Sequence, residues 1–163
     1  MLAVIYLVIH ATGYLLTKIP ETNAPPPAMI SLSAVYDKLT NTLYSIGGDQ
    51  SQNNKQISSI FTFDLTTRLW NVVPALSEYS PQYTLLNGAY MRNDRKIISF
   101  GLWSEVLIFN LAVKEWKIAE TSGDRTGRLT SFGYTSFSYN GTEFIAIFGG
   151  VGEKAYNFEL FLY

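Results

Sequence analysis

Apolar and polar residues alternate over several short stretches of the chain, and turn-forming residues separate one stretch from the next. In the stretch 57–65, for example, Phe61, Phe63 and Leu65 occupy every second position, which is typical of a strand with one buried face. Aromatic residues, which suit half-buried strands, make up 15% of the chain. No segment combines a helical period with capping residues at its ends. The pattern therefore predicts an all-β fold of antiparallel strands.

The predicted strands group into units of similar design. The first unit, residues 30–74, has strands at 30–37, 42–46, 57–65 and 69–73. The second unit, residues 83–120, has strands at 83–92, 96–100, 105–111 and 115–119. The third unit, residues 130–163, has strands at 131–139, 143–148 and 157–163, and its fourth strand is missing. Each unit is predicted to form one antiparallel four-stranded sheet, incomplete in the third.

One stretch occurs twice and marks the turn between the third and fourth strands of a unit. Each copy begins with a Phe, continues with Asp or Asn, Leu and a polar turn, and ends with a Trp, as in Phe63, Asp64 and Trp70 and again in Phe109, Asn110 and Trp116. The two copies lie 46 positions apart, and a period of that size predicts stacked sheet units. The Asp and Asn side chains are suited to hydrogen-bond the backbone of the turn that follows them.

Together with the glycines that end the second strands, this stretch resembles the kelch repeat of β-propellers. The resemblance extends over residues 14–163 and implies that the four-stranded units are propeller blades. It implies a structural role for Gly47, Gly48, Phe63, Asp64, Trp70, Gly101, Phe109, Asn110, Trp116, Gly149 and Gly150. The second unit departs from the repeat, because Leu102 follows Gly101 where a second glycine is usual.

The resemblance implies an incomplete propeller. A propeller closes with about four to eight blades, and this sequence holds about two and three-quarter repeats. Residues 14–29 are then a lone outer strand and a Pro-rich link, and the segment 14–20 matches the strand that the third unit lacks. We expect a fragment of a longer propeller. Assembly with copies of itself or with another chain is one alternative, and a stack of three blades closed by the segment 14–20 is another.

Two interpretations stay open for residues 1–13. The apolar run 2–9 and the small residues 11–13 are typical of a secretory signal, which favours a secreted protein, although no basic residue precedes the run. The same run suits a buried strand. It is too short to cross a membrane, so no integral span is expected. Asn140-Gly141-Thr142 is a glycosylation sequon at a predicted two-residue hairpin turn, which makes Asn140 a glycosylation candidate.

The composition gives little support to catalysis. The chain has no Cys and a single His, His10, so a thiol nucleophile, a His-based triad and a Cys-ligated metal site are not expected. Copper-binding oxidases that are similar to kelch proteins use a Cys–Tyr cofactor and His ligands, and the Cys is missing here. A net charge of −1 does not favour a nucleic-acid-binding surface. We expect no cofactor, no metal and no enzymatic activity.

The expected function is a non-enzymatic protein–protein interaction module. Connections alternate between the two ends of an antiparallel sheet, and the longer ones share one end: 49–56, 74–82, 102–104, 121–129 and 151–156. Recognition is often carried by such loops on a rigid scaffold. Candidates for contact with a protein partner of unknown identity are Gln50, Gln52, Lys55, Tyr79, Trp103, Arg125, Arg128 and Lys154.

Trp103 is the first of these candidates, because an aromatic side chain in a short loop can anchor a partner. The other interpretation of Trp103 is packing between blades, as for Trp70 and Trp116. The alternative to a binding module is a fragment of a propeller enzyme, an oxidase or a sugar-acting enzyme, whose active residues lie outside this chain.

Overall fold

The computed structural model describes residues 6–10, 14–50, 55–56, 60–74, 87–91, 95–100, 105–122, 130–152 and 160–162. Every regular element in these ranges is a β-strand, so the predicted all-β class is confirmed. All strand pairings in these ranges are antiparallel. Within them, no helix is long and apolar enough to cross a membrane.

The N-terminal region forms a two-stranded hairpin. Strand β1 (Tyr6–His10) pairs with β2 (Tyr14–Lys18), with Tyr6 opposite Lys18 and His10 opposite Tyr14. The partner of β2 is therefore β1, which differs from the expectation that the segment 14–20 is a lone strand completing the third sheet. The small residues 11–13 of the possible secretory signal lie outside the described ranges.

The first sheet is a meander of four strands with a short ribbon attached. It contains β3 (Ile30–Asp37), β4 (Thr42–Gln50), β6 (Ile60–Asp64) and β7 (Leu69–Val73) in the order β3-β4-β6-β7, and β5 (Lys55–Gln56) pairs with the end of β4. Strand β4 is longer than predicted, because the ladder continues past Gly47 to Gln50. Part of the predicted loop 49–56 is therefore β-structure.

A segment of the Pro-rich link borders the outer edge of the first sheet. The Asn23 amide group donates to the carbonyl of Trp70 over 2.8 Å and accepts from its N–H over 2.7 Å. The N–H of Thr22 donates to the carbonyl of Arg68 over 2.9 Å, and its hydroxyl donates to the carbonyl of Thr67 over 3.0 Å. The link thus satisfies edge groups of Trp70 in β7, which would otherwise be open to another strand, and two carbonyls of the preceding turn. We call residues 22–23 the edge strap.

The second and third sheets repeat the meander. The second contains β8 (Asn87–Met91), β9 (Lys96–Phe100), β10 (Val106–Asn110) and β11 (Glu115–Ile118), with neighbouring strands paired in sequence order. The third contains β12 (Gly133–Tyr139), β13 (Thr142–Phe148) and β14 (Leu160–Leu162). Within the described ranges the strands of the third sheet follow the order β12-β13-β14.

The sheets stack on one another in chain order. In the first sheet we call the face that carries Tyr44 and Ile46 the front, and the opposite face the back. These residues lie three positions and one position before Gly47. The residues at the same distances before Gly101 and Gly149 define the fronts of the second sheet (Ile98, Phe100) and the third (Ala146, Phe148). Front residues of the first sheet form one buried cluster with back residues of the second: Val35, Tyr44, Ile46, Ile60, Ile97, Leu107, Phe109 and Trp116. The first sheet thus packs its front on the back of the second.

The second interface has the same polarity. Front residues of the second sheet, Ile98, Phe100 and Val106, form a buried cluster with Ile145 and Ile147 on the back of the third sheet. Successive residues of β9 and β10 therefore contact the first and the third sheet in turn, because side chains alternate between the two faces of a strand. The first strands of the sheets lie closest together, with β3 against β8 and β12 approaching β8. The result is a stack of three sheets joined front to back.

Candidate functional site

The predicted binding end of the sheets lies mostly beyond the described ranges. Gln50 ends β4 and Lys55 begins β5, and their Cα atoms are partners in the antiparallel ladder. The structure therefore brings these two candidates together on a ribbon that extends beyond Gly47. The other six candidates lie outside the described residues: Gln52, Tyr79, Trp103, Arg125, Arg128 and Lys154.

Two glycines that follow the apolar part of the second strands have a conformation that other residues rarely adopt. Gly47 has φ 70° and Gly149 has φ 71°, in the left-handed region where a Cβ is disfavoured. Pairing resumes after each of them: Ile30 lies opposite Asp49 in the first sheet. In the third sheet Thr130 and Val151 exchange backbone hydrogen bonds of 3.0 and 2.8 Å. The glycines thus redirect the chain where each sheet approaches the predicted binding end. Gly101 lies outside the described residues.

The opposite end of the sheets consists of tight turns with internally bonded polar groups. Asp64 Oδ1 accepts hydrogen bonds from the N–H groups of Thr66, at 2.7 Å, and Thr67, at 2.9 Å. In the second sheet Asn110 Oδ1 accepts from the N–H of Ala112 at 2.9 Å. The backbone N–H groups of Thr67 and Thr66 lower the pKa of Asp64, because they stabilise its ionised form. These hydrogen bonds stabilise the turns.

An ion pair links the turns of the first and second sheets. Asp37 is buried, and its carboxylate accepts from the N–H of Leu39 at 2.9 Å and from the hydroxyl of Thr40 at 2.8 Å. Arg95 of the second sheet lies 3.6 Å from the same carboxylate and is half-exposed. From sequence, Asp37 reads as an ordinary turn carboxylate. Its burial is a consequence of sheet stacking, which brings the turn of Arg95 beside it.

The sequon of the third sheet occupies the hairpin turn that the sequence predicts. Tyr139 lies opposite Thr142, so Asn140 and Gly141 form the two-residue loop. Their φ angles are 50° and 77°, which fit the type I′ turn typical of Asn-Gly. Asn140 and Thr142 are both exposed, so the geometry leaves the Asn140 side chain accessible. Its glycosylation stays a prediction.

Metal-ligating side chains do not form a cluster within the described residues. No three His, Asp or Glu side chains come together as a metal-binding group in the part of the chain that the structure describes. The buried carboxylate of Asp37 is already bonded to the turn and paired with Arg95. A scan against protein-family models and a search of curated proteins found no match to this chain.

Proposed function

We propose that this chain is part of a kelch-type β-propeller that binds a protein partner through the connections at one end of its sheets. The observation that supports this proposal is the stacking of the three sheets, front on back and closest at their first strands. A meander of about four strands per unit, arranged radially with the first strand innermost, is the design of propeller blades.

The two ends of the sheets differ in the use of their polar groups. At the turn end, Asp37, Asp64 and Asn110 are committed to hydrogen bonds within the turns. The opposite end carries the longer connections and the ribbon that contains Gln50 and Lys55. Groups bonded internally are less free to recognise another molecule, so partner binding is assigned to the end with the longer connections.

Trp103→Ala and Arg125→Ala test this assignment on the full chain. Partners are defined as proteins captured from a lysate by the immobilised wild-type chain and quantified by mass spectrometry. Both variants are expected to reduce capture of the same partner, by about tenfold for a side chain that anchors the interface. The matched control is Lys114→Ala, which removes an exposed charge at the turn end.

Capture should be unchanged by the Lys114→Ala control. Undiminished capture by both Trp103→Ala and Arg125→Ala would contradict the assignment of binding to this end. Loss of capture in Lys114→Ala alone would place the interface at the turn end instead. Circular dichroism of every variant separates loss of binding from loss of fold.

A further inference from the structure

The stack of three sheets ends in two apolar faces, and we propose that these faces bind each other between two copies of the chain. One is the front of the third sheet, with Phe137, Phe144, Ala146 and Phe148. The other is the back of the first sheet, with Leu32, Ala34, Tyr36 and Val72. The inference rests on the observed stacking and is independent of the partner-binding loops.

Equivalent positions show that the front of the third sheet is a packing face without its neighbour. Ile46, Phe100 and Phe148 each directly precede the first glycine after the apolar part of the second strand. Ile46 is 0% exposed and Phe100 is 4% exposed, because the next sheet covers them, whereas Phe148 is 57% exposed. Phe137 is also 43% exposed and stacks on Phe144, with ring centroids 5.4 Å apart.

The back of the first sheet shows the complementary lack of cover. Back positions in the later sheets are buried by the preceding sheet, as for Ile97 in the second and Ile145 in the third. In the first sheet the equivalent Leu43 is only partly buried, and Leu32, Tyr36 and Val72 remain exposed, although Phe63 on the same face is fully buried beside Trp70. The structure therefore leaves one unmatched front and one unmatched back on the same molecule.

A second copy of the chain fits both faces at once. Each interface within the stack joins a front to a back, and a copy offers the same two surfaces to the first molecule. Among the described side chains neither face carries a charge, so the contact requires no burial of an unpaired ion. Large exposed apolar patches commonly mark interaction sites. Two copies with three sheets each would make a ring of six, within the range of about four to eight blades in propellers.

The polarity of the proposed contact sets the form of the assembly. Front-to-back contact is heterologous, and such contacts produce a closed ring when the rotation between copies closes. A ring of two copies uses both faces of each molecule and leaves neither exposed. We therefore expect a dimer as the only assembly above the dissociation constant.

The first test measures the mass of the full chain by sedimentation velocity over a range of concentrations. A dimer is expected for the wild type. Phe148→Glu should raise its dissociation constant by about tenfold or more, because a charge would be buried without a partner. Val113→Glu is the matched control, since Val113 is similarly exposed, at 51%, but lies in a turn outside both faces. Far-ultraviolet circular dichroism should be unchanged in both variants.

The second test determines which faces meet. The natural chain has no Cys, so Phe148→Cys and Ala34→Cys each introduce a single thiol. Within the stack, Phe100 on the front of the second sheet clusters with Ile147 on the back of the third. In the proposed contact Phe148 takes the place of Phe100, and Ser45 of the first sheet takes the place of Ile147. Ala34 is chosen because it is the ladder partner of Ser45. When the two variants are mixed with a short bismaleimide linker, the mixed product should exceed both like-with-like products.

Three outcomes would overturn the proposal. One is a wild-type chain that stays monomeric at all concentrations. Another is a dimer that Phe148→Glu and Val113→Glu affect equally. The third is a predominance of like-with-like crosslinks, or of open polymers in place of a dimer. None of these outcomes depends on whether the loops bind a partner.

Discussion

The two copies of the Phe–Trp stretch have the same local geometry and different surroundings. The ring centroids of Phe63 and Trp70 lie 4.9 Å apart with an interplanar angle of 48°, and those of Phe109 and Trp116 lie 5.0 Å apart with an angle of 52°. Trp116 is nevertheless buried, whereas Trp70 is only partly buried. Local sequence thus determines the shape of the turn, and the neighbouring sheet determines how much of the Trp is removed from water.

The backbone of the two turns is also shared. Arg68 and Lys114, which occupy the same place in the two copies, have φ angles of 62° and 60°. Each donates its N–H to the carbonyl of the residue after the Phe, over 2.7 Å to Asp64 and 2.8 Å to Asn110. The difference between the copies lies outside the turn: the front of the first sheet covers Trp116, while the edge strap contacts the backbone of Trp70.

The largest effect is expected from removal of the two Trp side chains. Trp116→Ala should lower the free energy of unfolding by about 3–5 kcal/mol, since it leaves a cavity between two sheets. Trp70→Ala should cost roughly 1–2 kcal/mol, because less of its apolar surface is buried. Urea unfolding followed by circular dichroism, at a protein concentration that keeps the chain monomeric, measures both. Equal losses would contradict the difference in burial.

A smaller effect is expected from removal of the edge strap. Asn23→Ala deletes two hydrogen bonds to the backbone of Trp70, and we expect a loss of about 1 kcal/mol because the site is exposed. Hydrogen exchange of the Trp70 amide should accelerate, while exchange of the Trp116 amide serves as the internal reference. Asn23→Asp keeps the acceptor and loses the donor, so its effect should be intermediate. Unchanged protection of Trp70 in Asn23→Ala would contradict the role of the strap.

The smallest effect is expected from exchange of the two turn acceptors. The pKa of Asp64 lies below its ordinary value of 3.8 because of the Thr67 and Thr66 N–H groups. The ionised form therefore contributes stability in full above pH 3.8, and this contribution is lost as the pH falls through the lowered pKa. Asp64→Asn should remove this acid-dependent contribution to stability, and Asn110→Asp should add a contribution of the same kind at the second turn.

Thermal unfolding between pH 7 and pH 2 measures how the two substitutions change the pH dependence of stability. The difference in unfolding temperature between wild type and Asp64→Asn should be constant near neutral pH and should change only below pH 3.8. Other carboxylates titrate in all variants and cancel in the difference. A difference independent of pH throughout this range would show that the two N–H bonds do not favour the ionised side chain.

Much of the secondary structure could be predicted because its signals are local. The strands at 30–37, 69–73 and 96–100 have the predicted bounds. The Asn140-Gly141 hairpin has the predicted two-residue loop. Turn residues and period-two alternation act over a few positions, so they do not depend on contacts elsewhere. The ribbon of Gln50 and Lys55 was predicted as a loop, because its pairing follows a glycine that the pattern treats as a strand end.

The apolar pattern of the sequence indicates that the second sheet lies between the other two. The runs 96–100 and 106–110 are almost continuously apolar, as expected for strands covered on both faces. In contrast, Phe137 and Tyr139 alternate with Ser136 and Ser138 in β12, and all four are exposed. Less of the candidate site could be predicted from the sequence. Of the eight candidate residues the structure describes only Gln50 and Lys55, and their pairing was not expected.

The sequence by itself determined that the chain is all-β, where most strands and turns lie, and which residues form the Phe–Trp turns. Only the tertiary structure decided which copy of that turn is buried, that Asp37 pairs with Arg95, and that the segment 14–18 pairs with β1. The physical reason is range: turn chemistry depends on a few neighbouring residues, while burial depends on which sheet covers a face. Trp70 and Trp116 stand in the same motif, and the presence of a covering sheet makes the difference between them.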